Sequence, residues 1–468
     1  MRALIQILTV LALISVITVL VSQNRYPVRT LAWILILILL PGLGLVLYFL
    51  FGTNKKSNRL ISDEKLDMLK SRSIRANGDM IDTEVPGGHR DLATLLYMTN
   101  KSLPMKGNEL EVFTDFDNMS QALIRDIRQA QDHVNFEFFK FEDDNIGHRI
   151  ADELIALTHR GVEVRVTYDA AANLTRVRFY RYLRKAGVRV KAFLPLVLPF
   201  LSTNDTYRNH RKIVVIDGKI GYVGGMNIAD RYSIGIRSGD WRDTHLRIEG
   251  PAVSELQTAF LVDWQFCSKE FLCEERFYPR IEARGGSCVQ IATSGPMDEW
   301  NVTMQGIIRL VTQAKRYVYL ESPYFIPTEP VMMALRNAAL SGVDVRIIIP
   351  YHGDRGIIVP LASRSYVEEA LVAGVKIYFY NGGYMHSKTS VADDSVASIG
   401  STNLDVRSFE QNFEVNAFIY DPEVAVQLRE AFLKDQANSR EVSLEGWRQR
   451  PRWERLKESV ARLFSPIL

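Results

Sequence analysis

His210 and Lys212 lie two residues apart, followed by Asp217, Gly224 and Asn227; His386, Lys388, Asp393, Gly400 and Asn403 repeat the set at identical spacing. Imidazole works as a nucleophile and as an acid or base near neutral pH, ammonium groups offset oxyanion charge, and amides donate to oxygen. Two such sets delivered to one place suit phosphodiester chemistry without a metal. One imidazole attacks phosphorus and its opposite number protonates the leaving oxygen. Lys212, Lys388 and the phosphate-binding pair Asn227 and Asn403 stabilise the non-bridging oxygens. A single His-x-Lys pair is an ordinary strand end, whereas a second in-register copy points to a duplicated unit.

The elements that must position these residues can be read around them. Each His-x-Lys precedes an apolar run, Ile213 to Ile216 and Ser390 to Ala392. In extended chain the two side chains then leave the same face. Asp217-Gly218 and Asp393-Asp394 read as turns, so a returning strand brings Asn227 toward His210 and Asn403 toward His386. The small residues beside each Asn, Gly225 and Ser401, would let an anionic group approach the backbone closely. Upstream, an edge strand is expected at 110–113, a helix at 119–131, a strand at 134–139, a helix at 146–160 and a strand at 162–168. The second half repeats the alternation with a helix at 302–314, a strand at 317–321, a helix at 330–341 and a strand at 343–349. Even the joints agree, Gly161-Val162-Glu163-Val164-Arg165 answering Gly342-Val343-Asp344-Val345-Arg346. The expected architecture is α/β, with two tandem domains, 107–290 and 291–468, forming one pseudo-symmetric site behind a connector at 58–106.

Two apolar stretches, Ile5 to Val21 and Leu31 to Phe51, carry no charge. They predict two transmembrane helices within a membrane anchor at 1–57. Lys55, Lys56 and Arg59 against Arg25 and Arg29 place both termini, and with them the catalytic domains, on the cytoplasmic side of a multi-pass membrane protein. The net charge of +3 gives no basic footprint for nucleic acid. Cys267, Cys273 and Cys288 lack metal-site spacing and read as reduced or buried thiols, so no metal or other cofactor is expected. The 194–201 stretch, apolar with two prolines, is expected to dip into lipid beside the first motif, and the basic 452–464 segment to form an amphipathic helix.

The two motif copies resemble the signature of the phospholipase D superfamily. Tyr207-Arg208-Asn209-His210-Arg211-Lys212, Trp241-Arg242-Asp243-Thr244-His245, Ser322-Pro323-Tyr324-Phe325-Ile326-Pro327 and Asn412-Phe413-Glu414 are similar to the bacterial cardiolipin synthases. The resemblance covers essentially the whole chain; Ala170-Ala171-Ala172 and Phe138-Phe139-Lys140 depart from the family's usual residues. It implies phosphatidyl transfer from one phosphatidylglycerol to another through a phosphatidyl-histidine, releasing glycerol, in the bacterial cell membrane. By the same resemblance His210 is the nucleophile and His386 the acid, then base. Asp243 and Glu414 would orient the imidazoles, and the motif residues Asp217 and Asp393 would tie the motif loops through hydrogen bonds. A phosphatidylserine synthase or a phospholipase D would share both motifs and differ in the acceptor. Tyr324 and Phe325 are candidates for a lipid entrance or for the core, and His245 for a place near the site.

Overall fold

The computed structural model describes residues 12, 14–18, 27–48, 60–195, 207–236, 239–354 and 356–468. Two compact units divide the chain, one of residues 1–58 with 196–207 and one of 59–195 with 208–468.

The larger unit is built on one continuous sheet. Its first half uses β1 (Pro104–Phe113), β2 (His133–Phe138), β3 (Glu163–Asp169), β4 (Arg189–Phe193), β5 (Lys212–Ile216), β6 (Ile220–Gly224) and β7 (His245–Glu249). Its second half uses β8 (Ser287–Ser294), β9 (Tyr317–Glu321), β10 (Asp344–Pro350), β11 (Lys376–Tyr380), β12 (Thr389–Ala392), β13 (Val396–Gly400) and β14 (Asn412–Tyr420), with β15 (Ser439–Glu441) added at the outer edge. The spatial order is 4-3-2-5-6-7-1 in one half and 11-10-9-12-13-14-8 in the other, the same permutation twice. Strands β1 and β8 pair antiparallel, Pro104 opposite Gln290, and fuse the half-sheets. The expected edge strand at 110–113 is the second part of β1, paired on one side with β7, while the first part of β1, from Pro104 to Asn108, pairs with β8, so that β1 bridges the half-sheets. Its burial alternates, which is why its sequence reads as only half covered.

Helices bury both faces. Phe136, Phe138, Ile150, Leu154 and Tyr180 form a core on the first half, and Ile307, Leu310, Leu335, Ile347 and Phe379 its counterpart on the second. A third cluster, including Ile213, Leu246, Val289, Ile399 and Val415, draws on both halves. The helix expected at 119–131 spans Phe116–Arg128, started by Asp115, whose carboxylate accepts from the Asn118 amide.

The turns behind the two motifs are alike. Asp217 and Gly218 have φ of 51° and 66°, and Asp393 and Asp394 have φ of 54° and 56°. Two successive left-handed residues make the tight turn that the twist of a two-stranded hairpin favours. Asp is one of the non-glycine residues that enter that region most readily.

In the smaller unit the structure corrects the sequence. No helix among the described residues is long and apolar enough to cross a membrane. The second apolar stretch forms a helix at Pro27–Leu39, breaks at Leu40 (φ −131°, ψ 64°), and resumes as Pro41–Leu47. Pro41 brings no N–H and crowds the preceding turn. Thirteen helical residues reach only about 20 Å, against a hydrocarbon thickness of about 30 Å. Leu37 and Tyr48 are buried with Val16, while Leu31, Leu35 and Ile38 are exposed. The two transmembrane helices, and the multi-pass cytoplasmic-membrane placement that rested on them, are withdrawn. Most of the first stretch, 5–21, lies outside the described residues, as does most of 194–201, of which only Leu194 and Pro195 are described.

Candidate active site

Each catalytic-motif histidine follows a short strand that crosses to the opposite half. Arg208–Asn209 pairs in parallel with Asn412–Phe413, and Gly383–Met385 with Asp240–Arg242. The His210 amide donates to the Phe413 carbonyl at 2.9 Å, and the His386 amide to that of Arg242 at 2.7 Å. This register sets His210 beside Glu414 and His386 beside Asp243. His210 Nδ1 lies 3.0 Å from both Glu414 oxygens, and His386 Nδ1 lies 2.5 Å from Asp243 Oδ2. A carboxylate accepts only, so His210 Nδ1 carries the proton and its Nε2 is left with its lone pair; His386 Nδ1 has Lys388 Nζ at 2.8 Å as well, and the shorter contact to Asp243 assigns it the same tautomer. The orienting group of either imidazole thus belongs to the other half.

The small residues beside the motif asparagines lie against the orienting carboxylates. A Cβ on Gly225 would stand 2.1 Å from Asp243 Oδ1, so glycine there makes room for the orienting carboxylate. At the equivalent place in the second half, the Ser401 hydroxyl donates to Glu414. Asn412 Nδ2 also donates to Glu414, at 3.1 Å.

Lys212 and Lys388 are both fully or almost fully buried, and each ammonium donates to the carbonyl of its own motif histidine. Burial pushes Lys212 down to about 7 and Lys388 to about 8, while the nearby Glu414 and Asp243 carboxylates oppose the fall. Burial also lowers His210 to about 4 and holds His386 well below the usual imidazole value, where Lys388 and Lys212 depress it further. Burial thus disfavours the cationic form of both imidazoles more than that of the lysines, which carry positive charge below their values of about 7 and 8.

Asn227 Oδ1 accepts from the Lys140 amide, and its Nδ2 donates to the Tyr232 hydroxyl at 2.7 Å. Asn403 Nδ2 donates to Asp405 at 3.2 Å. Asp217 and Asp393 stand at the far ends of β5 and β12. The Asp217 carboxylate accepts from the amides of Gln131, Asp132 and His133, and that of Asp393 from Lys315, Arg316 and Tyr317. The two aspartates clamp the starts of β2 and β9 rather than line the space between the imidazoles.

Several functional neighbours escape sequence reasoning. Arg211 makes two 2.6 Å bonds to Asp263, and Arg242 bonds Asp435 at 2.8 Å. Behind these pairs lie Glu137 and Glu321, at the same position of β2 and β9. Burial holds Glu137 well above the carboxylate range, and Asp435 rises to about 7 beside Glu321. An acid in the middle of an apolar strand was the available signal. Around His386 stand Tyr232, Trp241 and Tyr384, with ring centroids at 5.9, 5.1 and 5.9 Å, whereas His210 faces Phe139 at 4.9 Å. Phe325 is core, and Tyr324 is half-buried, its carbonyl accepting from the Ser322 hydroxyl at 2.8 Å. His245 is buried two residues beyond Asp243, and burial lowers it to about 3.

A duplicated half-sheet with two exchanged His-carboxylate pairs defines a tandem phospholipase D-like protein. Residues 123–264 and 307–436 each match the family described as cardiolipin synthase, phospholipase D-like domain, and 7–52 match a phospholipase D-nuclease N-terminal family. The chain belongs to the cardiolipin synthase family of phospholipase D-like proteins. It is 39% identical to the major cardiolipin synthase ClsA of Bacillus subtilis (strain 168), over 98% of each chain. It is 38% identical to a cardiolipin synthase of Staphylococcus aureus (strain Mu50 / ATCC 700699), over 98% of this chain and 95% of that one. Among solved structures, the phosphatidylserine synthase of Haemophilus influenzae Rd KW20 superposes with a TM-score of 0.62 at 15% identity, covering 81% of this chain and 100% of that one, a likeness of fold.

Proposed function

We propose that this phosphatidyltransferase makes cardiolipin from two phosphatidylglycerols, with His210 as nucleophile. The observation that carries the reading is the pair of imidazoles, each held by a carboxylate from the other half so that its Nε2 is presented to substrate. His210 Nε2 attacks phosphorus, the phosphorus–oxygen bond to glycerol breaks, and His386 gives that oxygen its proton. The arriving phosphodiester anion offsets the lysine charges that depress His386, so the imidazole takes up the proton it must donate. The terminal hydroxyl of a second phosphatidylglycerol then gives its proton to His386 and attacks phosphorus. The phosphorus–nitrogen bond breaks, which yields cardiolipin and restores His210.

Lys212 and Lys388 neutralise the non-bridging oxygens, assisted by the second amide hydrogens of Asn227 and Asn403. Glu414 and Asp243 stabilise the positive imidazoles. Asp217 and Asp393 act through the loops that they tie, and no nucleic acid takes part. The test is to incubate the enzyme with phosphatidylglycerol vesicles and measure cardiolipin, glycerol and phosphatidic acid together, with His210→Ala and His386→Ala as controls. Cardiolipin with stoichiometric glycerol, lost in both variants, is expected. Phosphatidic acid alone would mean that water is the acceptor, and would overturn the reading.

A further inference from the structure

The C-terminal helix Arg452–Arg462 is fixed to the body by one side only. Its Ala461 packs with Ile326 and Ala362, and Glu458 is held by Arg450. Beyond the helix, Gln411 Nε2 donates to the Pro466 carbonyl at 2.8 Å, and Leu468 packs in the same cluster as Val406. Val406 follows Asn403-Leu404-Asp405, so the C-terminus lies against the segment that leaves the second motif.

The other side is apolar and open. Trp453, Leu456, Val460, Leu463 and Phe464 are 56%, 65%, 50%, 77% and 45% exposed. At 100° per residue these five occupy an arc of about 100°. Arg452 and Lys457 border that arc on its two sides, and the helix's acidic residues, Glu454 and Glu458, fall outside it. Arg455 and Arg462 turn away to pair with Glu368 and Glu369 of the body, which locks the helix's rotation and with it the outward aim of the stripe.

We propose that this stripe is a docking surface for an anionic phospholipid bilayer, lying in the headgroup boundary and holding the second motif's side of the site against the lipid that the enzyme consumes. An apolar stripe of this width with cationic borders is what an interfacial helix presents to acidic lipid. A second copy of the chain is a poorer occupant, because a two-fold interface would set the basic borders against one another. The inference rests on the reading that the substrate is a membrane phospholipid, and the experiment separates the two.

The full-length chain is mixed with phosphatidylglycerol vesicles whose acyl chains carry bromine, which quenches tryptophan within the apolar boundary. Wild type should show a quenched component that is absent from Trp453→Phe. Leu456→Ser with Leu463→Ser should lower turnover on vesicles at limiting lipid by about tenfold, while turnover of monomeric short-chain phosphatidylglycerol is unchanged. Replacing Arg452 and Lys457 by Gln should weaken vesicle binding about fivefold per charge and flatten its salt dependence. Identical quenching in wild type and Trp453→Phe would overturn the proposal. So would an equal loss on both substrates in the serine variants, or a change of oligomeric state in place of lipid binding. Quenching at Trp453 without cardiolipin formation from short-chain lipid would instead remove the catalytic reading and leave the docking surface standing.

Discussion

Glu414→Gln tests the exchanged orientation directly. The substitution keeps size and one acceptor oxygen while removing the charge that faces His210 Nδ1 at 3.0 Å. Glu414 is fully buried, and burial opposes its charge, yet the His210 contact holds its carboxyl below the usual range, so it is ionised. When His210 attacks phosphorus its ring becomes cationic, and the missing carboxylate leaves that charge uncompensated. Removing one partner of a buried ion pair costs about 3–5 kcal/mol. At about 1.4 kcal/mol per decade, that corresponds to a fall of about a thousandfold in kcat. KM should stay within about threefold, because the carboxylate acts through the imidazole and not on substrate. The assay is single-turnover rapid quench of the phosphatidyl-enzyme, beside a thermal midpoint showing that the variant folds.

Asp243→Asn should cost as much in steady state, since it too removes a buried carboxylate from the Nδ1 of a motif imidazole. A phosphatidyl ester of p-nitrophenol, whose departure needs no proton, separates the two roles. Asp243→Asn should still release a burst of nitrophenol with it, whereas Glu414→Gln should not. A loss below tenfold in a folded Glu414→Gln enzyme would refute the reasoning, and a burst in Glu414→Gln alone would exchange the histidines' roles.

Lys212, lowered to about 7, loses its charge as pH rises through that value, so kcat/KM should fall on the alkaline side while kcat, read with phosphate bound, holds to higher pH. Lys212→Arg should move that limb up toward about 8, where Lys388 titrates, whatever its absolute rate, as a pH profile would show. Asp217→Asn keeps the turn but leaves one acceptor oxygen for three amides; stability should drop by about 2–4 kcal/mol in denaturant titration, with kcat of the folded fraction near normal. Burial holds the Glu137 carboxyl well above the usual range, so Glu137→Gln, which keeps the shape of the neutral acid, should change stability by less than about 1 kcal/mol, whereas Asp263→Asn strips Arg211 of its buried partner and should cost about 3–5 kcal/mol by the same measurement.

What the sequence made legible follows from the range of each interaction. Strand 317–321 was placed to the residue, and the helix at 146–160 was displaced by one residue at Asn145–His159, because hydrophobic periodicity is a local signal. Strand pairing is not local, so the strand read at 110–113 lacked its first part, Pro104 to Asn108, which forms the seam with β8. The motif residues declared themselves by repetition. Asp243 and Glu414 were placed by resemblance, since nothing in their own spacing says that each serves the other half. Arg211 meets Asp263 across a helix distant in the chain, a contact invisible to motif reading. At the N-terminus composition suggested two spans, and one proline lacking an N–H divided the helix that composition had drawn as continuous.

The exchange of carboxylates between halves also governs when the enzyme becomes dangerous to its own substrate. As the chain leaves the ribosome, the first half emerges carrying His210 and Lys212 but no carboxylate for its imidazole, since Glu414 is still to be synthesised. The second half in turn brings a histidine whose partner, Asp243, waits on the first. A truncated or half-folded product therefore holds neither a positioned nucleophile nor a positioned acid. Both crossing pairs, 208–209 with 412–413 and 383–385 with 240–242, need the two halves together, so on the proposed mechanism only the completed fold holds an oriented pair of imidazoles.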